Sequence, residues 1–216
     1  MPSRDSDDSH DITDYFISAV ESRSMTAPHV VGIAGSLRDE SYTRVAIERA
    51  LEAASAAGAS TDLIDLRNLD LPVFDADDRE AGDAAELQRR IDEADSILLG
   101  TPVYHGSYSS ALKNALDYCG FDEFEKKTVG LLGVAGGSFP ITALEHLRSV
   151  CRALDCWVIP HQAALPSARN AIEDGTFVDS SLEERVATLG EEAVKYATIE
   201  PDPACMESLE NVGADD

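Results

Sequence analysis

Hydroxyl groups and one arginine, closely spaced near the start of the chain, have the clearest chemical character. Ser36, Arg38, Ser41 and Thr43 lie within GSLRDESYT, which begins at Gly35. A dianionic phosphate requires hydroxyl donors, backbone N–H groups at a helix start, and a cation. The stretch is therefore predicted to bind a phosphate. Arginine is usually a solvated surface residue, but cations are scarce here, with 17 Lys and Arg against 41 Asp and Glu.

Buried strands are needed to position this loop. Short apolar runs typical of strands covered on both faces occur five times, at His29–Ala34, Thr61–Leu66, Ser96–Thr101, Thr128–Val134 and Trp157–Pro160. Helices are predicted between them, with Asp83 and Glu86 capping the second and Ser109 and Ser110 starting the third. Ser181 and Glu184 are predicted to cap a last helix ending near Ala197, and residues 161–176 are expected to be irregular.

Alternating strands and helices predict an α/β protein with a parallel sheet and helices on both faces. The polar and glycine-containing loops follow strands one, three and four, which favours a flavodoxin-like three-layer sandwich of strand order 2-1-3-4-5. A Rossmann dinucleotide domain would need G-x-G-x-x-G after strand one, and Gly35 has no such companions.

The length of 216 residues suits one domain, placed at 28–199, with an acidic N-terminal extension at 1–27 and an acidic tail at 200–216. The extension is expected to be poorly ordered, and Met25 is an alternative translation start. No apolar run approaches a membrane span and no secretory signal is evident, so a cytoplasmic protein is expected.

A formal net charge of −24 argues against binding nucleic acid. The composition resembles that of halophilic archaeal proteins, in which molar salt screens self-repulsion; an ordinary acidic cytosolic protein is the alternative. The four cysteines contain no C-x-x-C pair, which gives no indication of a metal site and favours free thiols.

Three motifs resemble those of the NAD(P)H-dependent FMN reductase family: the GSLRDESYT loop, PVYHGS at 102–107 followed by LKNALD at 112–117, and Gly136-Gly137 after strand four. They occur in the family's order, at the ends of strands one, three and four. The resemblance implies a flavodoxin-like fold, bound FMN, NAD(P)H as co-substrate, and a homodimer or homotetramer. The family often has Asn where Thr43 and His105 stand.

The resemblance also implies which residues bind the flavin. Ser36, Arg38, Ser41 and Thr43 would hold the phosphate, and the second and third motifs would line the isoalloxazine ring, through Pro102, Val103, Tyr104, His105, Gly136 and Gly137. Tyr104 could instead fill a gap in its loop, and the two glycines could simply form a tight turn. No catalytic side chain is predicted, since the cofactor carries the chemistry.

The implied reaction is ping-pong. NAD(P)H delivers hydride to flavin N5 and leaves, and a small acceptor (a quinone, flavin, azo compound or metal ion) then takes the electrons. Two alternatives share the fold: a flavodoxin-type electron carrier between protein partners, and a flavin-binding regulatory module with little turnover. The NADH or NADPH preference and the physiological acceptor have no signature in the sequence.

Overall fold

The computed structural model describes residues 27–199, which contain one five-stranded parallel sheet. The strands are β1 (His29–Ala34), β2 (Ser60–Asp65), β3 (Ser96–Pro102), β4 (Thr128–Val134) and β5 (Trp157–Leu165). Their order is β2-β1-β3-β4-β5 with every neighbouring pair parallel, as predicted. Because the order reverses between β1 and β3, the helices that follow these two strands cover opposite faces of the sheet, and open α/β sheets bind ligands at such a switch point.

Helices cover both faces of the sheet. The long helices are α1 (Tyr42–Ala56), α2 (Ala84–Asp92), α3 (Ser110–Asp117), α5 (Ile141–Ala153) and α7 (Ser180–Lys195). The short helices α4 (Phe121–Phe124) and α6 (Ala168–Ala171) and a small antiparallel hairpin of β6 (Ile172–Glu173) and β7 (Thr176–Phe177) complete the described chain. None of the helices described is long and apolar enough to cross a membrane.

The core consists of two apolar clusters, one on each side of the sheet. Alternate strand residues point to opposite faces: Val31 and Leu99 pack with α2, α3 and α5, whereas Val30 and Leu98 pack with α1 and α7. In the acidic loop after β2, Leu69, Leu71 and Phe74 are partly buried and pack against the first cluster. Burial on both faces explains why the strands appear in the sequence as unbroken apolar runs.

The predicted end of β5 was wrong. Residues 161–165 were expected to be irregular, but Gln162 to Leu165 pair with Leu131 to Val134 in β4. The sequence HQAAL has little strand character of its own, so the pairing with the buried neighbouring strand decides the conformation. A register shift in β4 between Val129 and Leu131 separates the two segments of β5 that pair with it. The sequence of β5 therefore does not show one continuous strand pattern.

Two predicted helix caps were also wrong. The Asp83 carboxylate makes no cap bond to α2, because it accepts the Asp70 N–H at 2.7 Å and ties down the preceding loop. Helix α7 is capped by Asp179, which accepts from the N–H groups of Ser181 and Leu182 at 3.0 and 3.2 Å. The Ser109 cap of α3 is confirmed, since its Oγ accepts the Leu112 N–H at 3.1 Å.

Three predictions concern residues outside the described range: the poorly ordered extension at 1–27, apart from Ala27, the alternative start at Met25, and the acidic tail at 200–216.

Candidate functional site

Close packing fixes the start of the β1 loop. The Gly35 N–H donates to Gly100 O at 2.8 Å, and the Ser109 hydroxyl donates to Gly35 O at 2.6 Å. A Cβ at Gly35 would lie 2.8 Å from that same Gly100 oxygen and 2.9 Å from Leu112 Cβ, closer than real contacts allow. The loop after β1 is thus joined to the end of β3 and the start of α3, and only glycine fits the junction.

The predicted phosphate hydroxyls are buried at the start of α1. Ser36 Oγ accepts the Arg38 N–H at 3.4 Å, and Ser41 Oγ caps α1 by accepting the Arg44 N–H at 3.1 Å. Both recorded bonds use the hydroxyl oxygen as acceptor, so each O–H remains available as a donor. Thr43 is buried with its methyl group facing Gly100, which gives it a packing role as well.

Arg38 is exposed at the tip of the loop. Within residues 27–199 its guanidinium forms no ion pair, although Asp39 and Glu40 follow it directly. Asp39 instead pairs with Arg67, the residue after Leu66 beyond β2. Arg44 lies 3.6 Å from both Glu48 and Asp65. The neighbouring charges are therefore partly neutralised, and Arg38 retains its donors for an anion.

Backbone amides complete this donor set. No hydrogen bond between described residues uses the N–H of Asp39, Glu40 or Ser41, and Tyr42 and Thr43 are the first two residues of α1, whose N–H groups have no intrahelical acceptor. Amides at a helix start, two hydroxyl donors and one arginine match the needs of a dianionic phosphate. The residues present therefore fit the phosphate end of FMN.

The loop after β3 begins extended and then turns tightly. Pro102 is the last residue of β3, and the Val103 N–H donates to Val134 O at 2.8 Å, which joins this loop to the end of β4. Tyr104 and Ser107 exchange two backbone bonds of 3.0 Å around His105 and Gly106. Tyr104 is half-exposed rather than filling an internal gap.

The loop after β4 is open. A Cβ at Gly136 or Gly137 would meet nothing within 4 Å, so packing inside the described chain does not require glycine at either position. The Gly137 carbonyl accepts the Ser167 N–H at 2.9 Å, which connects this loop to the exit of β5 rather than to the loop after β3. Phe139 follows, with 79% of its surface exposed.

The structure thus brings the predicted residues to one edge of the sheet in two groups. Hydrogen bonds join the β1 loop to the end of β3, and Val103 joins that strand to β4. Among the described residues, no hydrogen bond or ion pair joins the Arg38 loop to Gly136 or Gly137. Exposed apolar side chains occur in all three loops: Leu37, Tyr104, Phe139 and Ile141 at the start of α5.

Sequence reasoning missed several residues that shape this edge. Thr101 Oγ1 accepts the Ser109 N–H at 2.9 Å and donates to Pro102 O, which fixes the path of the β3 loop. Asn114 accepts the Phe74 N–H at 2.8 Å and donates to Pro72 O at 2.7 Å, so it holds the loop after β2 against α3. Its place in the LKNALD motif was the available signal.

The cysteine thiols are poor candidates for nucleophiles. Burial raises the pKa of the Cys119 thiol, and a hydrogen bond with the Cys151 thiol together with burial raises the pKa of Cys156. All three described cysteines are free. Within residues 27–199 no cluster of three or more His, Cys, Asp or Glu is arranged to hold a metal ion.

The strand order, with its reversal between β1 and β3, defines a flavodoxin-like α/β protein. The family model described as NADPH-dependent FMN reductase matches residues 28–170, and the chain belongs to that family. An FMN-dependent NADPH-azoreductase of Staphylococcus aureus is 39% identical over 121 residues, which are 54% of this chain and 63% of the relative. The aligned region therefore spans less than two thirds of that relative's length.

Solved structures share the fold. FerB, a flavoenzyme NAD(P)H:(acceptor) oxidoreductase from Paracoccus denitrificans, has a TM-score of 0.67 at 20% identity, covering 79% of this chain and 97% of its own. The apo form of the NADH:FMN oxidoreductase EMOB has a TM-score of 0.65 at 20% identity, covering 81% and 92%. At these identities the likeness concerns the architecture alone.

Proposed function

We propose that this chain is an NAD(P)H-dependent FMN oxidoreductase that passes electrons to a small organic acceptor. The observation that carries the proposal is the convergence of three family motifs, on the loops after β1, β3 and β4, at the carboxyl edge of the sheet where the strand order reverses. Bound FMN would supply the redox chemistry, taking a hydride from NAD(P)H and giving two electrons to the acceptor.

Ser36, Arg38, Ser41 and Thr43 are assigned to the phosphate. The hydroxyls of Ser36 and Ser41 and the amides at the start of α1 donate from positions held by buried contacts, so little ordering is needed on binding. Arg38 adds the positive charge from the exposed side. The Thr43 hydroxyl is the least favourably placed, because its methyl group packs against Gly100.

Pro102, Val103, Tyr104, His105, Gly136 and Gly137 are assigned to the isoalloxazine ring. Extended backbone at Pro102 and the N–H groups of the following turn can bond the polar edge of the ring, and the absence of side chains at 136 and 137 allows close approach. None of these residues has to transfer a proton or form a covalent bond, so no side chain is assigned a catalytic role.

The rim of the site indicates the acceptor. Leu37, Tyr104, Phe139 and Ile141 expose between 50 and 79% of their surface at this edge. A flat, apolar molecule such as a quinone, an azo compound or a free flavin would cover them, whereas a hydrated metal ion would gain nothing from the contact. We therefore place organic acceptors ahead of metal ions.

Anaerobic mixing of FMN-loaded protein with NADPH or NADH, in molar KCl, tests the function. Rapid bleaching of the visible flavin band, followed by recovery on adding a quinone or azo dye, supports the reductase. Bleaching by neither nicotinamide contradicts it and favours an electron carrier or a regulatory module; reduction of the protein by a one-electron protein donor then separates those two.

The remaining features belong to the same proposal. Residues 28–199 form the FMN-binding domain, flanked by the acidic extension at 1–27 and tail at 200–216, and the charge of −24 suits a cytoplasm rich in salt. Lys113 pairs with Asp117 on its own helix, so this ion pair does not itself point to a partner subunit. A homodimer or homotetramer is therefore supported by the family resemblance alone, and light scattering in molar KCl measures it.

A further inference from the structure

The turn after β3 has an uncommon conformation for its sequence. His105 and Gly106 both have positive φ, at +50° and +78°, and the flanking Tyr104 and Ser107 exchange two backbone hydrogen bonds. This is a two-residue type I′ turn, which strongly prefers Asn-Gly at its centre. Histidine adopts the left-handed region more readily than most residues, but it lacks the short side-chain amide with which Asn bonds its own backbone there. The turn is therefore less favoured by its sequence than an Asn-Gly turn would be.

Contacts from a neighbouring helix hold the turn instead. His146 on α5 has its Nδ1 atom 3.0 Å from Ser107 Oγ, and its ring stands edge-on to Tyr108 with centroids 6.4 Å apart and an interplanar angle of 80°. The Thr142 hydroxyl approaches Gly106 from the same helix, 3.7 Å from where a Cβ would stand. Helix α5 therefore lies against the second half of the turn, at Gly106 and Ser107, and against Tyr108 after it.

These contacts connect the two loops assigned to the flavin ring. Helix α5 starts at Ile141, four residues after Gly137, so the His146–Ser107 bond joins the element that follows the β4 loop to the β3 turn. Between described residues, no hydrogen bond uses the N–H of His105 or Gly106. Those two amides are held in place at the ring end of the site with their donors unused.

We propose that His146 is a positioning residue, which acts through Ser107 to hold the amides of the Tyr104–Ser107 turn for the polar edge of the flavin ring. The proposal rests on the proposed function for its consequence, since the turn matters only if FMN binds beside it. His146 is exposed and its bond to Ser107 is a surface contact, so its removal leaves the core intact. Amides that donate to the flavin stabilise it most when negative charge develops on the ring, so their placement affects both affinity and midpoint potential.

A series of variants at one position tests the contact. His146→Leu removes the bond, and His146→Asn retains it, because the Asn side-chain amide stands where Nδ1 does. His146→Gln places its amide at the position of Nε2 and should restore the bond poorly. Ser107→Ala removes the other partner, and the double variant reveals coupling. Ser149→Ala, an exposed serine on the same helix whose hydroxyl reaches only Glu145 O at 3.5 Å, is the matched control.

Three measurements test the positioning role: the Kd for FMN, the midpoint potential of the bound flavin, and hydrogen exchange of the FMN-free protein. We expect His146→Leu and Ser107→Ala each to raise the Kd for FMN about fivefold, the loss of one neutral hydrogen bond, and to shift the flavin midpoint potential, with the double variant no worse than either. His146→Asn should restore both values. Without FMN, hydrogen exchange at residues 104–107 should speed up in the Leu variant and in the Gln variant, whereas the Asn variant should match the wild type.

The outcomes separate this inference from the proposed function. Unchanged Kd, potential and exchange in His146→Leu would overturn the positioning role while leaving FMN binding intact. Equal losses in the Asn and Leu variants would also overturn it, since the bond would then not be the cause. Failure of the wild-type protein to bind FMN would refute the proposed function itself, whereas exchange at the turn would still report whether His146 holds it.

Discussion

The two ends of the proposed flavin site are built differently. At the phosphate end, Gly35 is wedged between Gly100 and Leu112, and Ser36 and Ser41 are buried with their oxygens already bonded. At the ring end, Gly136 and Gly137 have open space around them, and the turn at His105 depends on a surface histidine. The phosphate end is thus part of the core, whereas the ring end is a set of exposed loops held by a few contacts.

This difference should separate stability from binding. A substitution in the packed end changes both, because the same contacts form the core and the donor set. A substitution in the open end should change binding or redox properties and leave the free energy of unfolding nearly constant. The variants below are chosen to test that separation, from the largest expected effect to the smallest.

Two matched glycine substitutions make the sharpest comparison. Gly35→Ala forces a Cβ against a backbone oxygen that cannot move away, so we expect a loss of about 1–3 kcal/mol in unfolding free energy together with weaker FMN binding. Gly136→Ala meets no atom within 4 Å and should stay within about 0.5 kcal/mol of the wild type.

Urea denaturation of the FMN-free proteins, followed by fluorescence titration with FMN, measures both effects. Weaker binding in Gly136→Ala at unchanged stability would place the flavin ring against that loop. Equal stability losses in the two variants would contradict the division into a packed end and an open end.

Arg38→Ala should have a large effect on binding and none on folding. Arg38 makes no ion pair within residues 27–199, and the loss of a charge-assisted bond to phosphate should raise the Kd for FMN about tenfold or more. Riboflavin, which lacks the phosphate, should bind the variant and the wild type equally well.

Arg152→Ala, which removes an exposed cation from α5, is the control for net charge. A drop in riboflavin affinity as large as that for FMN would show that Arg38 does not contact the phosphate. Molar KCl should narrow the difference between the Arg38 variant and the wild type, because the charge is exposed to screening ions.

Acid sensitivity should arise away from the site. The Arg90 guanidinium forms two 2.7 Å bonds to the Asp62 carboxylate on β2 and holds the pKa of Asp62 below its ordinary value, against the opposing effect of burial. A lowered folded-state pKa contributes stability that is present above the ordinary pKa and is lost as pH falls through the folded value. Asp62→Asn should thus be less stable than the wild type at pH 7, by less than about 1 kcal/mol for a partly exposed pair.

The urea midpoints of Asp62→Asn and the wild type should begin to converge as pH falls through the ordinary pKa of aspartate and should meet below the lowered folded-state pKa. FMN affinity at pH 7 should be the same in both. A constant gap between the two midpoints across this range would mean that the carboxylate charge is not what stabilises β2. Asp78→Asn, in the exposed loop after β2, is the control for a change of one charge.

The same contrast explains how much of the molecule the sequence could predict. The apolar runs at Val30, Leu98 and Leu131 predicted the strands, because full burial leaves an unbroken pattern in the sequence. The strand order was predicted separately, from the polar and glycine-containing loops after strands one, three and four. Local chemistry gave the Ser109 cap but failed at Asp83, whose carboxylate bonds to the distant residue Asp70. The extension of β5 from Pro160 to Leu165 could not be predicted either, because pairing with β4 determines it and the composition of the segment does not.

At the site, the motif residues were found by resemblance, and the residues that hold them were not. Thr101 and His146 act through bonds to residues 8 and 39 positions away, at Ser109 and Ser107. No local sequence pattern predicts such a bond, since only the fold brings the two partners together. The dipeptide His105-Gly106 differs in this respect, because a residue before glycine in a turn that prefers Asn-Gly can be recognised from the sequence itself.

His105→Asn is the smallest predicted effect and tests the open end directly. Asparagine tolerates the left-handed conformation better than histidine, so the variant should be more stable than the wild type by about 0.5 kcal/mol. If the Asn-Gly turn is then stable without the contact from α5, the effect of His146→Leu on FMN binding should be smaller in the His105→Asn background.

Asp174, at φ +46° before Gly175 in the β6–β7 hairpin, offers a control, because Asp174→Asn should leave FMN binding unchanged. An undiminished effect of His146→Leu would show that the helix contact orients the turn rather than merely compensating for an unfavourable residue within it.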